Sequence, residues 1–265
     1  MNSNTDPAVI IYKSNALIEA SYRLSVAEQR IMLACISQVR RDAPITDDVL
    51  YSVRAQQIAE MSGTSPKQAY QELREAALRL KRREVRLTRE PNGQGTKRKI
   101  MITGWVQTIF YIEDEGRVEL RFTKDMLPYL PELTEQFTCY ELTDVAKMKS
   151  AHAIRLYELL MQWVSTGERV VAVSELRSWL RLEERYPLMA DMRRWVIEPA
   201  VAQINEHSSL AVAWEPRKTG RKITHLVFTF NPTTAAVSLR KPAVKRKAGR
   251  LLDAEIAKQA RPGES

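Results

Sequence analysis

Gly63-Thr-Ser-Pro-Lys-Gln-Ala69 carries the clearest helix start in the chain. Ser65 suits the N-cap, Pro66 the first helical position, and Gln68 the third, where it completes a capping box. Downstream, Ala69, Leu73, Ala76, Ala77 and Leu80 recur on one helical stripe, while Lys67, Gln71, Arg74, Lys81 and Arg82 occupy the other side. A helix with one apolar and one basic face, set behind a tight turn, has the layout of a groove-reading helix. Taken alone it is also the layout of any solvated amphipathic helix.

The flanking sequence decides between these readings. Upstream, Ser25-Val-Ala-Glu28 is a capping box that opens a helix running to about Val39. A short strand, Val49 to Val53, leads into a short helix, Arg54 to Ser62, which Gly63 closes. Downstream, Val85 to Thr88 and Ile100 to Ile112 read as strands around an Asn92-Gly93 turn, with Lys97, Arg98 and Lys99 at the base of the hairpin. A third strand follows from Arg117 to Phe122. Helix, strand, helix, turn, helix and basic hairpin make a winged helix.

The pattern then repeats. The first copy covers Ser25 to Ile112 and the second Asp144 to Phe230. In the second, a long helix from Asp144 to Trp163 is ended by Gly167, and a strand from Val170 to Val173 precedes a short helix capped by Ser174. After Glu183-Glu-Arg-Tyr-Pro187 a longer helix runs to about Glu206, kinked or restarted at Pro199. Its periodicity puts Leu188, Met192, Trp195, Val196 and Ala200 toward the core, and Met189, Ala190, Arg193, Arg194 and Ile197 around the other face. Strands Leu210 to Trp214 and Ile223 to Phe230 enclose a second tip, which carries Arg217, Lys218, Arg221 and Lys222. The expected fold is α+β, with tandem winged-helix domains over residues 9–136 and 140–232 and a basic tail over 238–265.

Charge points the same way. The formal net charge is +9 and the pI about 9.6, which suits a polyanionic partner. Eight basic and three acidic residues from Ser238 onward put +5 on the tail and leave +4 for the rest. The body must therefore cluster its cations to hold DNA. Pro242 and alternating basic residues argue against an ordered element from Leu239 to Ala248. In contact terms, Lys67, Gln71, Arg74, Met189, Arg193 and Arg194 are candidates to read bases. Lys81, Arg82, Lys97, Arg98, Lys99, Arg217, Lys218, Arg221 and Lys222 are candidates to grip phosphates.

Catalysis has no comparable signature. His152, His207 and His225 are isolated, neither Cys35 nor Cys139 belongs to a C-x-x-C, and no phosphate-cradling G-x-x-x-x-G-K-[ST] occurs. Asp47-Asp48, Asp114-Glu115 and Glu183-Glu184 fall in loops, and Tyr140 and Tyr157 lack the acid and histidine neighbours of a strand-nicking site. No enzyme, metal or cofactor is expected. Neither a signal peptide nor a membrane-spanning run is read, and two reduced cysteines fit the cytoplasm.

Several stretches carry a resemblance to the plasmid replication initiator (Rep) proteins with tandem winged helices. They are Lys13-Ser-Asn-Ala-Leu-Ile-Glu-Ala20, Leu24-Ser-Val-Ala-Glu-Gln-Arg-Ile31, Ser150-Ala-His-Ala-Ile-Arg-Leu-Tyr-Glu-Leu-Leu160, Val196-Ile-Glu-Pro-Ala-Val-Ala-Gln-Ile-Asn-Glu206 and Thr219-Gly-Arg-Lys-Ile223. The resemblance implies binding of double-stranded origin DNA at repeats called iterons, origin opening by monomers, recruitment of host replication proteins (initiator and helicase), and a homodimer in equilibrium with monomer that represses its own promoter. It also aligns Arg193 and Arg194 with the basic pair that starts the family's second recognition helix. Leu17, Ile18, Tyr22 and Leu24 form an apolar surface that this reading assigns to dimerisation through the first domain. The competing readings are a winged-helix transcriptional regulator with no replication role and a strand-nicking enzyme.

Overall fold

Ser14, Ser25, Ser65 and Ser150 each accept a hydrogen bond from the backbone N–H three residues on, and so fix four helix starts in the computed structural model. The structure describes residues 8–40, 45–91, 99–130 and 136–231. Lys97, Arg98, the Asn92-Gly93 turn and the tail at 238–265 lie outside them.

The first half runs β1 (Ile10–Ser14), α1 (Asn15–Ile18), β2 (Ser21–Tyr22), α2 (Val26–Ile36), β3 (Tyr51–Arg54), α3 (Ala55–Ser62), α4 (Pro66–Leu80), β4 (Glu84–Leu87), β5 (Met101–Gly104), β6 (Val106–Ile112) and β7 (Arg117–Phe122). The second runs β8 (Phe137–Glu141), α5 (Thr143–Ala146), α6 (Ala151–Met161), β9 (Glu168–Ala172), α7 (Val173–Trp179), α8 (Met189–Met192), α9 (Glu198–His207), β10 (Val212–Thr219) and β11 (Lys222–Phe230). Strand orders are β2-β4-β5, β3-β7-β6 and β10-β11-β9, and β8 pairs back onto β1.

The expected stripe of α4 is buried throughout: Ala69, Leu73, Ala76, Ala77 and Leu80. Gly63 closes α3 at φ +69°. The capping box of α2 forms in full, but α2 stops at Ile36 rather than Val39. That of α4 forms by half, because the Gln68 side chain bonds Glu72 at 2.9 Å instead of turning back.

Four expectations need correction. The single strand from Ile100 to Ile112 is two strands in different sheets: β5 pairs with β4, and β6 with β7. Trp105 makes the crossing. Its ring is 1% exposed and edge-on to Tyr22 at 4.8 Å, and its backbone bonds Arg83 and Thr123. The hairpin that corresponds to β10–β11 is therefore β6–β7, since β3 pairs with β7 as β9 pairs with β11. The tip of β6–β7 is acidic, Glu113-Asp114-Glu115, closed by Gly116 at φ +55°. Lys99, the described residue of the basic run, precedes β5, which pairs with β4 rather than with β6 or β7.

Second, the helix from Asp144 to Trp163 is broken. The Oε1 of Gln203 accepts from the N–H groups of Lys149 and Ser150 at 2.6 and 3.0 Å, and Ser150 then caps α6. Third, Ser174 is not a cap. Extended Ala172 at the end of β9 holds that position, and α7 starts two residues earlier than expected.

Fourth, the helix at 189–207 contains a π turn, Arg193–Ile197, just before Pro199. Proline has no N–H and cannot close the usual bond four residues back, so the turn is widened instead. The extra residue shifts the phase by about 100°. Met192, Val196, Ile197 and Ala200 go inward, whereas Leu188 and Trp195 are 64% and 55% exposed.

The two halves share one core. Leu17, Ile18, Tyr22 and Leu24 are all buried, so the chain itself covers the apolar surface that the sequence suggested for dimer contacts. Cys35 and Cys139 are buried and form no disulfide.

Candidate nucleic-acid interface

Lys67, Gln71 and Arg74 on α4, and Lys81 and Arg82 just past its end, are all exposed. They are not equally free. The Arg74 guanidinium lies 3.9 Å from Glu113 at the acidic tip, where Tyr70 also donates to the Glu113 carbonyl at 3.1 Å. The Lys81 ammonium donates to the carbonyl of Gln107 at 2.7 Å, and so braces α4 against β6. Lys99 extends into solvent and meets Glu90 at 3.6 Å.

In the second half, the π turn and the β10–β11 hairpin frame an open groove of about 460 Å³. Met189, Ala190, Arg193, Trp214 and Ile223 line it. The Arg193 Nε is 2.6 Å from Glu198, and its guanidinium lies 6.0 Å from the Trp214 ring. Arg194 lies over Trp195 at 4.9 Å. A guanidinium near an aromatic face retains N–H groups of the kind with which arginine reads guanine or clasps phosphate. Arg217, Lys218, Arg221 and Lys222 are exposed along the hairpin, on strands longer than the sequence indicated.

A buried ionic cluster spans the two halves. Glu158 of α6 is fully buried and meets the Lys13 ammonium at 2.5 Å, Arg155 at 3.1 Å and the Tyr140 hydroxyl at 2.6 Å. Arg155 also bonds the Tyr22 hydroxyl and the carbonyls of Ile18 and Ala20. Burial pushes the Glu158 carboxyl upward, but Lys13 and Arg155 outweigh it and hold the group below its ordinary value. Gln29 and Arg30 of α2 bond carbonyls of Ala151, Ala146 and Met148 across the same boundary. Lys13, Gln29, Arg30, Arg155 and Glu158 all lie in the stretches that carry the family resemblance, where no local pattern marks them as partners.

Sequence comparison now places the molecule. Residues 10–161 match the family described as "Initiator Replication protein, WH1", and residues 172–230 match "Initiator Rep protein, WH2". The chain belongs to the plasmid replication initiators with two winged-helix domains. This initiator is 25% identical over 227 residues to a "Replication initiation protein" of Escherichia coli, with 83% of the chain and 69% of that protein covered. It is 24% identical to the "PI protein" of Escherichia coli, with 82% and 80% covered. A further Escherichia coli relative, an uncharacterized 27.6 kDa protein, is 27% identical, covering 88% of this chain and all of that one. The fold matches the crystal structure of Pi initiator protein in complex with iteron DNA at a TM-score of 0.71 and 22% identity, covering 87% of this chain and 100% of that one. Among the described residues, no group of three or more His, Cys, Asp and Glu could hold a metal ion, and no helix is long and apolar enough to cross a membrane.

Proposed function

We propose that this initiator binds double-stranded iteron repeats at a plasmid origin with both halves at once. Residues 9–136 and 140–232 act as its two DNA-binding units. The observation that carries this reading is the pairing of two exposed basic helix faces with a buried ionic cluster that fixes their relative position. Two rigidly joined readers measure the spacing between half-sites, and adjacent major-groove faces of a duplex recur about every 10 base pairs.

Lys67, Gln71, Arg74, Met189, Arg193 and Arg194 read base edges in this scheme. Lys81, Arg82, Lys97, Arg98, Lys99, Arg217, Lys218, Arg221 and Lys222 hold the backbone. Binding distorts the duplex without catalysis by this chain, opens the origin and gathers the host initiator and helicase in the cytoplasm. A dimer form, in equilibrium with monomer and joined through the first domain, represses the gene's own promoter.

The deciding experiment places the gene and its flanking DNA on a vector without an origin. Propagation, together with protection of tandem repeats about two helical turns long, supports the reading. Protection of a promoter site without propagation replaces it with a transcriptional regulator, and a nicked product from supercoiled DNA replaces it with a strand-cleaving enzyme.

A further inference from the structure

Where the two halves meet, a cleft of about 570 Å³ is lined by Arg23, Arg82, Arg83, Arg86, Arg181 and Arg185. It adjoins a second cavity of about 320 Å³, which shares Arg23 and Arg83 and ends on Ala151 and His152 in the first turn of α6. Three carboxylates, Glu84, Glu183 and Glu184, also line the cleft. Glu84 is taken by Arg86 at 3.0 Å and Arg181 at 3.1 Å, and Arg83 is taken by Glu28 at 2.9 Å. Arg23, Arg82 and Arg185 have no ion-pair partner among the described residues.

The three unpaired arginines are exposed to solvent and so open to an incoming anion. Burial first, and then the charges of Arg185 and Arg83, pull the Arg23 guanidinium below its ordinary value. Burial, followed by Arg23 and Arg185, likewise depresses the His152 imidazole. Guanidinium groups are suited to bidentate contact with phosphate oxygens, and the N-terminal end of an 11-residue helix adds a partial positive charge.

We propose that this interdomain arginine cleft is a phosphate-binding site, with Arg23 and Arg185 as its principal ligands. Its phosphate has two possible sources, the DNA backbone between the two half-sites or a free phosphoanion. The first source rests on the DNA-binding reading above and the second does not.

The test uses the full chain and two arms. In the first, inorganic pyrophosphate is titrated at constant ionic strength while the His152 ring is followed by NMR. His207 and His225, which line neither cavity, serve as internal references. The expected result is a saturable movement of His152 alone, lost in Arg23→Gln/Arg185→Gln. Since the unmodified chain gives the primary signal, misfolding of the variant cannot mimic it. In the second arm, duplex affinity is measured against salt. A fall of about two units in the salt slope of the variant assigns the phosphate to DNA. An unchanged slope beside a responding His152 assigns it to a free anion. A His152 that does not move with pyrophosphate, or that moves equally with chloride, overturns the site whatever the second arm shows.

Discussion

Lys13 and Glu158 stand 145 positions apart in the chain and meet at 2.5 Å inside it. One belongs to the first strand and the other to the central helix of the second half. Removing Lys13 leaves the buried Glu158 with Arg155 as its remaining counter-charge, and breaking a buried pair typically costs about 3–5 kcal/mol. Lys13→Met should therefore lower the midpoint of denaturant unfolding strongly. Adding Glu158→Leu to it should worsen matters, because Arg155 then loses its own counter-charge. A double variant whose loss equals the sum of the Lys13→Met and Glu158→Leu losses would show that the cluster is not one coupled unit.

His152 supplies a pH dependence. Its pKa is pulled down to about 4, by burial first and then by Arg23 and Arg185, whereas the unfolded chain carries an ordinary histidine near 6.5. Between those values the unfolded state holds more protons, so stability rises with pH across the window and falls as pH drops from about 7 toward 4. His152→Gln should flatten that slope in thermal melts between pH 4 and 7, provided carboxylate contributions are taken from the same series.

Contacts that read and contacts that hold respond differently to deletion. Arg193→Ala should cost about 1–3 kcal/mol on the specific duplex and little on random DNA. Lys218→Ala should weaken both alike and reduce the salt slope by about one unit. Equal loss on both duplexes for Arg193→Ala would move that residue to the backbone class.

The acidic tip of β6–β7 faces the polar side of α4 through Tyr70 and Arg74. Glu113→Gln/Asp114→Asn removes two negative charges beside a surface assigned to DNA and releases Arg74. Affinity measured at low salt should rise by roughly 1 kcal/mol, and the gain should shrink as salt is added. A loss of affinity would mean that Glu113 positions Arg74 for its contact.

Local signals in the sequence located α4 and its neighbours well. Ser65-Pro66 set the start of α4, Gly63 the end of α3, and the Ala69–Leu80 stripe its buried face, all through interactions within a few residues. Features that depended on partners far along the chain were not legible. Gly104-Trp105 read as the middle of one strand, because nothing local announces that Trp105 leaves one sheet for another. The Lys149-Ser150 break needed Gln203, 53 residues past Ser150. The six cleft arginines come from both halves and share no periodicity. The exposure of Trp195 was missed because an ordinary helical period was carried across a proline.

The widened turn at Arg193–Ile197 also bears on how such proteins diverge. Losing the Pro199 codon would remove both the extra residue and the missing N–H, restore an ordinary helix and swing every residue N-terminal to it by about a quarter of a revolution relative to the rest of α9. The side chains offered to the groove would change as a set, with no contact residue mutated. Two plasmids could in this way come to ignore each other's origins in a single evolutionary step.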